Sequence, residues 1–198
     1  MFIELTDHLR CPASHEESFL VLLPERMEGR SVRTGHLGCP VCGRAFELAD
    51  GVLDLGGRPP GAAPSALEPD ALAALAGLSG PGGYFVLVGA PAARWRELSE
   101  LQPGVSLVAV NPVSGVGDEP GLSVIRGEML PLKSKTMRGV VLGRPYSDDR
   151  HWVEEAARVV LPGLRVVGEG AAEPDPAVVE LMASAGGVWV GSPHRSLR

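Results

Sequence analysis

Hydrophobic residues beyond position 70 fall into short continuous runs that alternate with segments of helical spacing. Runs such as Phe85-Val86-Leu87-Val88 are typical of strands that are covered on both faces of a sheet. The pattern predicts strands at 84–88, 106–110, 122–126, 139–142, 165–168 and 188–190, and helices at 70–78, 92–101, 149–161 and 175–185. This alternation predicts an α/β fold with a Rossmann-like, doubly wound and mostly parallel sheet.

A different pattern occupies residues 1–57, where short apolar runs are separated by turn residues. It predicts a helical turn at 5–10 and strands at 19–23, 31–34, 45–48 and 52–55, with Pro24 ending the first strand. Asp50-Gly51 between the last two strands is a strong hairpin signal. A β-rich module of this size buries too little apolar surface to fold alone, so we expect a stabilising metal.

Potential metal ligands occur in two pairs in this module, Cys11 with His15 and Cys39 with Cys42. The Cys-x-x-Cys spacing lets one tight turn direct two thiolates at a single ion, and Gly43 permits the positive φ of such a turn. Three cysteines cannot all pair as disulfides, and this spacing favours metal ligation in a reducing compartment. We therefore predict a zinc ribbon that holds structural zinc.

The fourth ligand is less constrained by spacing than the three cysteines. Ser14 occupies the place where a second Cys-x-x-Cys would put a cysteine, and His15 is adjacent to it. His8 and His36 are alternatives, because each precedes a cysteine by three residues. With four protein ligands the site has no open position for an activated water, so we expect it to be structural and not catalytic.

The domain boundary is predicted in a Gly/Pro-dense stretch that has no periodic apolar face. Such a composition is typical of a linker of limited flexibility. We predict a zinc ribbon at 1–57, a linker at 58–69 and an α/β domain at 70–198.

Charge and hydropathy restrict the possible partners. The net charge is −6, with 5 Lys/Arg against 9 Asp/Glu in residues 1–57 and 13 against 15 in residues 58–198. This balance argues against a general nucleic-acid binder, although Lys133, Lys135 and Arg138 form a short basic cluster. No apolar run is long enough to span a bilayer and the first residues lack a secretory signal pattern, so we expect a cytoplasmic protein without a membrane partner.

Several motifs of residues 70–198 resemble class I methyltransferases that use S-adenosylmethionine. Residues 85–95 resemble the first strand and cofactor loop of these enzymes, and residues 107–112 resemble their second strand. Residues 127–133 resemble the loop that carries an acidic residue and a Leu-Pro, and a helix that ends at Pro162-Gly163 follows further along the chain, as in the enzymes. The resemblance implies cofactor contacts from Gly89, Asn111 and Glu128, the last to adenine. Residues 9–12, 38–43 and 50–55 resemble the small zinc ribbon activator subunits of tRNA and release-factor methyltransferases.

The cofactor loop departs from the pattern of the methyltransferases. Pro91 and Ala93 stand where the second and third glycines are expected, Leu87 replaces an acidic residue, and Asn111 replaces the carboxylate that binds the ribose. Loss of charge-assisted bonds, each worth about 1.5 to 3 kcal/mol, would weaken a micromolar cofactor site to millimolar or worse.

The sequence therefore favours a non-catalytic, zinc-binding, methyltransferase-like protein that acts as a scaffold or accessory subunit through a protein partner. One alternative is an active methyltransferase with an atypical cofactor loop that still holds S-adenosylmethionine. The other is an RNA-associated zinc ribbon factor, which the basic cluster suggests.

Overall fold

The computed structural model describes residues 1–56 and 65–194. Within these residues, eleven strands form one sheet: β1 (Val21–Glu28), β2 (Ser31–Gly38), β3 (Ala45–Ala49), β4 (Val52–Asp54), β5 (Tyr84–Val88), β6 (Ser106–Val110), β7 (Leu122–Arg126), β8 (Met137–Leu142), β9 (Val160–Glu169), β10 (Val179–Ala185) and β11 (Val188–Pro193). The α-helices are α1 (Pro69–Ala76), α2 (Trp95–Leu101) and α3 (Arg150–Val159), and 3-10 helices cover Ile3–His8, Ala90–Arg94 and Tyr146–Asp148.

The sheet is mixed, with parallel strands at its centre. Its order is β1-β2-β3-β4-β7-β6-β5-β8-β9-β11-β10. All neighbours from β4 to β9 in this order pair in parallel, and the pairs at both ends are antiparallel. The predicted α/β class is confirmed. From β5 the chain adds β6 and β7 on one side, and it then returns to add β8 and β9 on the other side of β5. The order of the strands therefore reverses between β5 and β8, whose carboxyl ends lie next to each other.

The continuous apolar runs form central strands because both faces of the sheet are covered. Val86 and Val88 of β5 pack into one buried cluster, whereas Phe85 and Leu87 pack into the other on the opposite face. Side chains alternate between faces along a strand, so a strand buried on both sides needs apolar residues at every position.

The predicted β3–β4 hairpin is present, with Asp50 and Gly51 at φ of 49° and 78°. Such positive values are those of the tight turn that Asp-Gly favours. β4 then pairs in parallel with β7, with Leu53 opposite Ile125. The first four strands and the α/β part therefore share one sheet and one buried cluster. Most of the predicted linker, 58–64, lies outside the described residues.

Three sequence predictions of secondary structure need correction. The helix at 175–185 is wrong, because Val179–Ala185 forms edge strand β10 paired with β11. Pro24 does not end β1, which continues to Glu28 through an irregularity in its pairing beside Pro24. Proline is tolerated there because β1 is an edge strand. Strand β9 begins at Val160, before Pro162-Gly163 rather than after it. No helix of the described residues is long and apolar enough to cross a membrane.

Candidate metal centre and the carboxyl edge of the sheet

Two backbone turns position the cysteines. Cys11 follows the first 3-10 helix, and its amide donates to the carbonyl of Ser18 at 2.9 Å. Cys39 follows β2, and its amide donates to the carbonyl of Arg44 at 2.8 Å, while the Gly43 amide donates to the carbonyl of Cys39 at 3.0 Å. Gly43 has a φ of 71°, as the predicted knuckle requires.

These turns bring Cys11, His15, Cys39 and Cys42 into one cluster, in which the ligand atoms all lie within 4.8 Å of one another. The Cys11 and Cys42 Sγ atoms are 3.7 Å apart, and Cys39 Sγ lies 3.4 Å from His15 Nε2. Tetrahedral zinc with Zn–S distances of about 2.3 Å places two sulfur ligands about 3.8 Å apart. The cluster could therefore bind zinc with only a small contraction.

His15 is oriented for ligation through Nε2. Its Nδ1 lies 2.7 Å from the carbonyl of Glu16. A proton on Nδ1 would be donated to that carbonyl, which leaves the Nε2 lone pair free to face the thiolates. The other histidines considered from spacing lie elsewhere: His8 packs edge-to-face with Tyr84, and His36 faces Glu25.

The thiols of the cluster differ in acidity. Burial raises the pKa of Cys11 to about 11. Burial also opposes ionisation of Cys39, but hydrogen bonds from the Cys42 and Val41 amides outweigh it and lower the pKa of Cys39 to about 6. A cation would compensate the cost of a buried thiolate at Cys11, so the chemistry of this donor set fits a bound zinc ion.

At the carboxyl edge of the sheet, Pro91 packs against the residue that directly follows β8. Gly89 follows β5 with a φ of 74°, and the next residues form a 3-10 helix in which Pro91 is buried. A Cβ added to Gly143, directly after β8, would lie 2.4 Å from Pro91 Cδ. The proline ring therefore packs onto the backbone of Gly143 at the point where open α/β sheets ordinarily bind ligands.

The side chain of Asn111, directly after β6, is fully engaged with the protein backbone. Its Nδ2 donates to the carbonyl of Gly127 at 2.7 Å, and its Oδ1 accepts from the Gly127 amide at 3.0 Å. Asn111 is only 4% exposed and has a φ of 48°. The amide thus bridges the loops after β6 and β7 and offers no free edge to a ribose.

The sequence predicts that Gly89, Asn111 and Glu128 surround one cofactor, and these residues follow the neighbouring strands β5, β6 and β7 at the carboxyl edge of the sheet. Gly89 and Asn111 end the adjacent strands β5 and β6. Glu128 is exposed and lines a cavity beside the metal cluster. Leu87, which stands where an acid was expected, is fully buried in the core.

Most of the basic cluster has structural partners. Lys133 donates through Nζ to the carbonyl of Asp7 at 2.7 Å, and Arg138 donates to the carbonyls of Ser79, Gly80, Pro81 and Gly82. Lys135 is exposed. Two of the three cations are thus held in place by backbone carbonyl groups.

A salt-bridge network that sequence reasoning missed joins the N-terminal segment to α3. Glu155 is 7% exposed and accepts from Arg10 Nη2 at 3.1 Å and from Arg158 Nε and Nη2 at 2.7 Å each. Arg158 also donates to the carbonyls of Leu130 and Leu132. Helical spacing places Glu155 and Arg158 on one side of α3, but Arg10 is 145 residues away from Glu155 in the chain.

Comparison with models of protein families found no match, and neither did comparison with curated proteins. Comparison with solved structures gives matches that include the following three. The antibiotic-resistance methyltransferase Kmr is 14% identical, over 65% of this chain and 94% of that chain, with a TM-score of 0.44. Geranyl diphosphate methyltransferase, solved with GPP and sinefungin, is 18% identical over 50% of this chain and 43% of that one, with a TM-score of 0.41. The pyocyanin biosynthetic protein PhzM is 15% identical over 59% of this chain and 52% of that chain, with a TM-score of 0.40.

This chain thus spans about half the length or less of the last two proteins. Identities and TM-scores this low do not assign it to a family.

Proposed function

We propose that the protein is a zinc-binding, methyltransferase-like scaffold or accessory subunit that does not catalyse methyl transfer. The observation that carries this proposal is the pairing of a well-formed Cys3His cluster with the contact of Pro91 on Gly143 at the carboxyl edge of the sheet. The first feature supports folding around zinc, and the second supports a weakened cofactor site, because Pro91 packs where the resemblance implies a glycine.

Zinc would be held by the three thiolates and by Nε2 of His15, and its role would be structural. The ion supplies the folding free energy that a small β-rich module lacks. In this proposal residues 1–57 are a zinc ribbon and the remaining parallel strands are a Rossmann-like, doubly wound layout. The strand order supports that reading, because it reverses direction at β5 and β8.

Binding of S-adenosylmethionine would need changes at two places of the carboxyl edge. In this proposal Pro91 would have to leave its contact with Gly143 before a nucleoside could approach the backbone that follows β5 and β8. Asn111 would have to break two buried hydrogen bonds to Gly127 before its side chain could reach a ribose. Each buried bond costs about 1 kcal/mol or more to break, and the ligand would have to supply that energy.

The outer face of β1 supports a partner-binding role. Phe19, just before β1, and Val21 and Leu23, within it, are spaced two residues apart and are 54%, 42% and 62% exposed. Val41, on the metal knuckle, is 64% exposed. β1 is an edge strand, so its outer backbone groups are available for pairing with another strand.

We propose an extended segment of another protein as the occupant of this face, with basic residues beside its apolar ones. Residues 1–57 carry 9 Asp/Glu against 5 Lys/Arg, so a basic partner is favoured over a second copy of this acidic chain.

Two measurements test the proposal. Metal analysis should find one zinc per chain, and calorimetric titration with S-adenosylmethionine should give no binding heat up to about 1 mM. A dissociation constant of tens of micromolar or tighter would overturn the non-catalytic assignment.

For the partner surface, chemical crosslinking in cells should join a protein to the native chain and to a Leu101→Glu control, but not to Leu23→Glu. Leu101 is 42% exposed on α2 and provides a matched apolar position. Equal crosslinking by both variants would exclude β1 as the docking face.

A further inference from the structure

A cavity of about 280 Å³ lies beside the metal cluster, where five parts of the chain converge. They are the residue after Cys11, the knuckle with the start of β3, the residues after β4, the loop after β7 and the start of α3, which contribute Pro12, Arg44, Phe46, Leu55, Gly56, Glu128, Met129 and His151. The lining thus combines apolar side chains with ionisable groups of both charges. Cavities between structural parts, with a few convergent polar groups, are the ordinary form of a small-molecule site.

The three ionisable side chains of this cavity have no partners. Within the described residues, Arg44, Glu128 and His151 make no side-chain hydrogen bond or ion pair, in contrast to Arg33 and Arg158, which contact carboxylates at 2.7 to 2.9 Å. A cation and an anion that line the same cavity without pairing leave both charges free for a ligand that carries the opposite charges.

The backbones that carry these groups are fixed. The carbonyl of Arg44 accepts from the Cys39 amide at 2.8 Å, so the metal knuckle positions it. Glu128 follows Gly127, which Asn111 holds through two hydrogen bonds. The His151 amide donates to Asp149 Oδ1 at 2.8 Å in the N-cap of α3. The cavity is therefore formed before any ligand arrives, which lowers the entropic cost of binding.

We infer that this cavity binds a small zwitterion of the α-amino acid class with an apolar side chain. The ligand's carboxylate is received by the Arg44 guanidinium, which can donate two parallel hydrogen bonds to it. Its ammonium group is received by the Glu128 carboxylate. The side chain packs on Phe46 and Met129. This inference goes beyond the proposed function and does not depend on it.

The test is calorimetric titration of the zinc-loaded protein with L-leucine, L-methionine and L-phenylalanine. Two probes that each carry one of the two charges serve as controls: 3-methylbutanoate lacks the ammonium group, and 3-methylbutylamine lacks the carboxylate. We expect at least one amino acid to bind, and each single-charge probe to bind about tenfold or more weakly, because it loses a charge-assisted contact.

Variants locate the site. Arg44→Gln and Glu128→Gln should each weaken amino acid binding about 10- to 100-fold, whereas Glu100→Gln, an exposed position without an ion-pair partner within the described residues, should leave it unchanged. Circular dichroism checks that the variants remain folded. Absence of binding by all three amino acids at 10 mM, which is on the order of the weakest useful affinity, would overturn the inference. Binding that neither cavity variant weakens would overturn it as well.

Discussion

Replacing Asn111 by Asp would restore the carboxylate that the methyltransferase resemblance leads one to expect, yet we predict that it destabilises the fold. In the native chain Nδ2 donates to the Gly127 carbonyl at 2.7 Å and Oδ1 accepts from the Gly127 amide at 3.0 Å. An aspartate keeps the second bond but has no donor for the first. It would place a charged oxygen against a carbonyl oxygen in a buried position.

The magnitude follows from these two effects. A buried acceptor without a donor costs about 1 to 3 kcal/mol, and a buried charge adds to that cost. We expect the free energy of unfolding to fall by about 3 kcal/mol, which for a chain of this size corresponds to a decrease in Tm of roughly 6 to 12 °C.

Urea unfolding followed by tryptophan fluorescence measures this change, because Trp95, Trp152 and Trp189 are all buried. Asn111→Gly serves as the control for backbone strain, since glycine adopts the native φ of 48° without steric strain and its loss of stability reports the missing side chain rather than the backbone angle. A decrease below about 0.5 kcal/mol for the Asp variant would refute the reasoning. So would a gain of micromolar affinity for S-adenosylmethionine.

Three further predictions concern other parts of the molecule. Chelation of zinc should remove amide-exchange protection from β1 to β4 first, because zinc contributes on the order of 10 kcal/mol to such modules; mass spectrometry of exchange at equal times measures it, and unchanged protection would contradict a structural ion. Gly143→Ala should lower the free energy of unfolding by about 1 to 3 kcal/mol through its clash with Pro91, with Gly117→Ala as a control in open space and Pro91→Ala expected to relieve the clash. Burial raises the pKa of Glu169, although Ser65 donates to its carboxylate; the protonated form is therefore favoured in the fold, and stability is lost as pH rises through the folded pKa. Glu169→Gln should accordingly stabilise the protein at pH 8 and have little effect at pH 4, and urea midpoints that shift equally at both pH values would contradict this assignment.

The elements that could be predicted from sequence are those whose local signals agree with their tertiary contacts. β5, β6 and β7 have the predicted bounds because each is a short, mainly apolar run that is buried in the centre of the sheet. The cysteine cluster followed from spacing, since the knuckle is formed by residues that are adjacent in the chain.

The misses arise where distant contacts decide the outcome. Residues 179–185 contain good helix formers, but pairing with β11 overrides that local preference. Pro91 could be recognised as a departure from the glycine-rich pattern, but its packing on Gly143 depends on the sheet order. The three ionisable groups of the cavity beside the metal cluster come from three distant segments, so no local motif indicates them.

The parallel pairing of β4 with β7 gives the metal a consequence for aggregation. If the first four strands detached after loss of the ion, Val124 and Ile125 would lie on an uncovered edge of a parallel sheet. An apolar edge of that kind is a template for pairing with other chains. In a cell that lacks zinc, the protein would then accumulate in an insoluble form rather than as a soluble, metal-free chain. Zinc added before the exposed edges of two chains pair would prevent this aggregation.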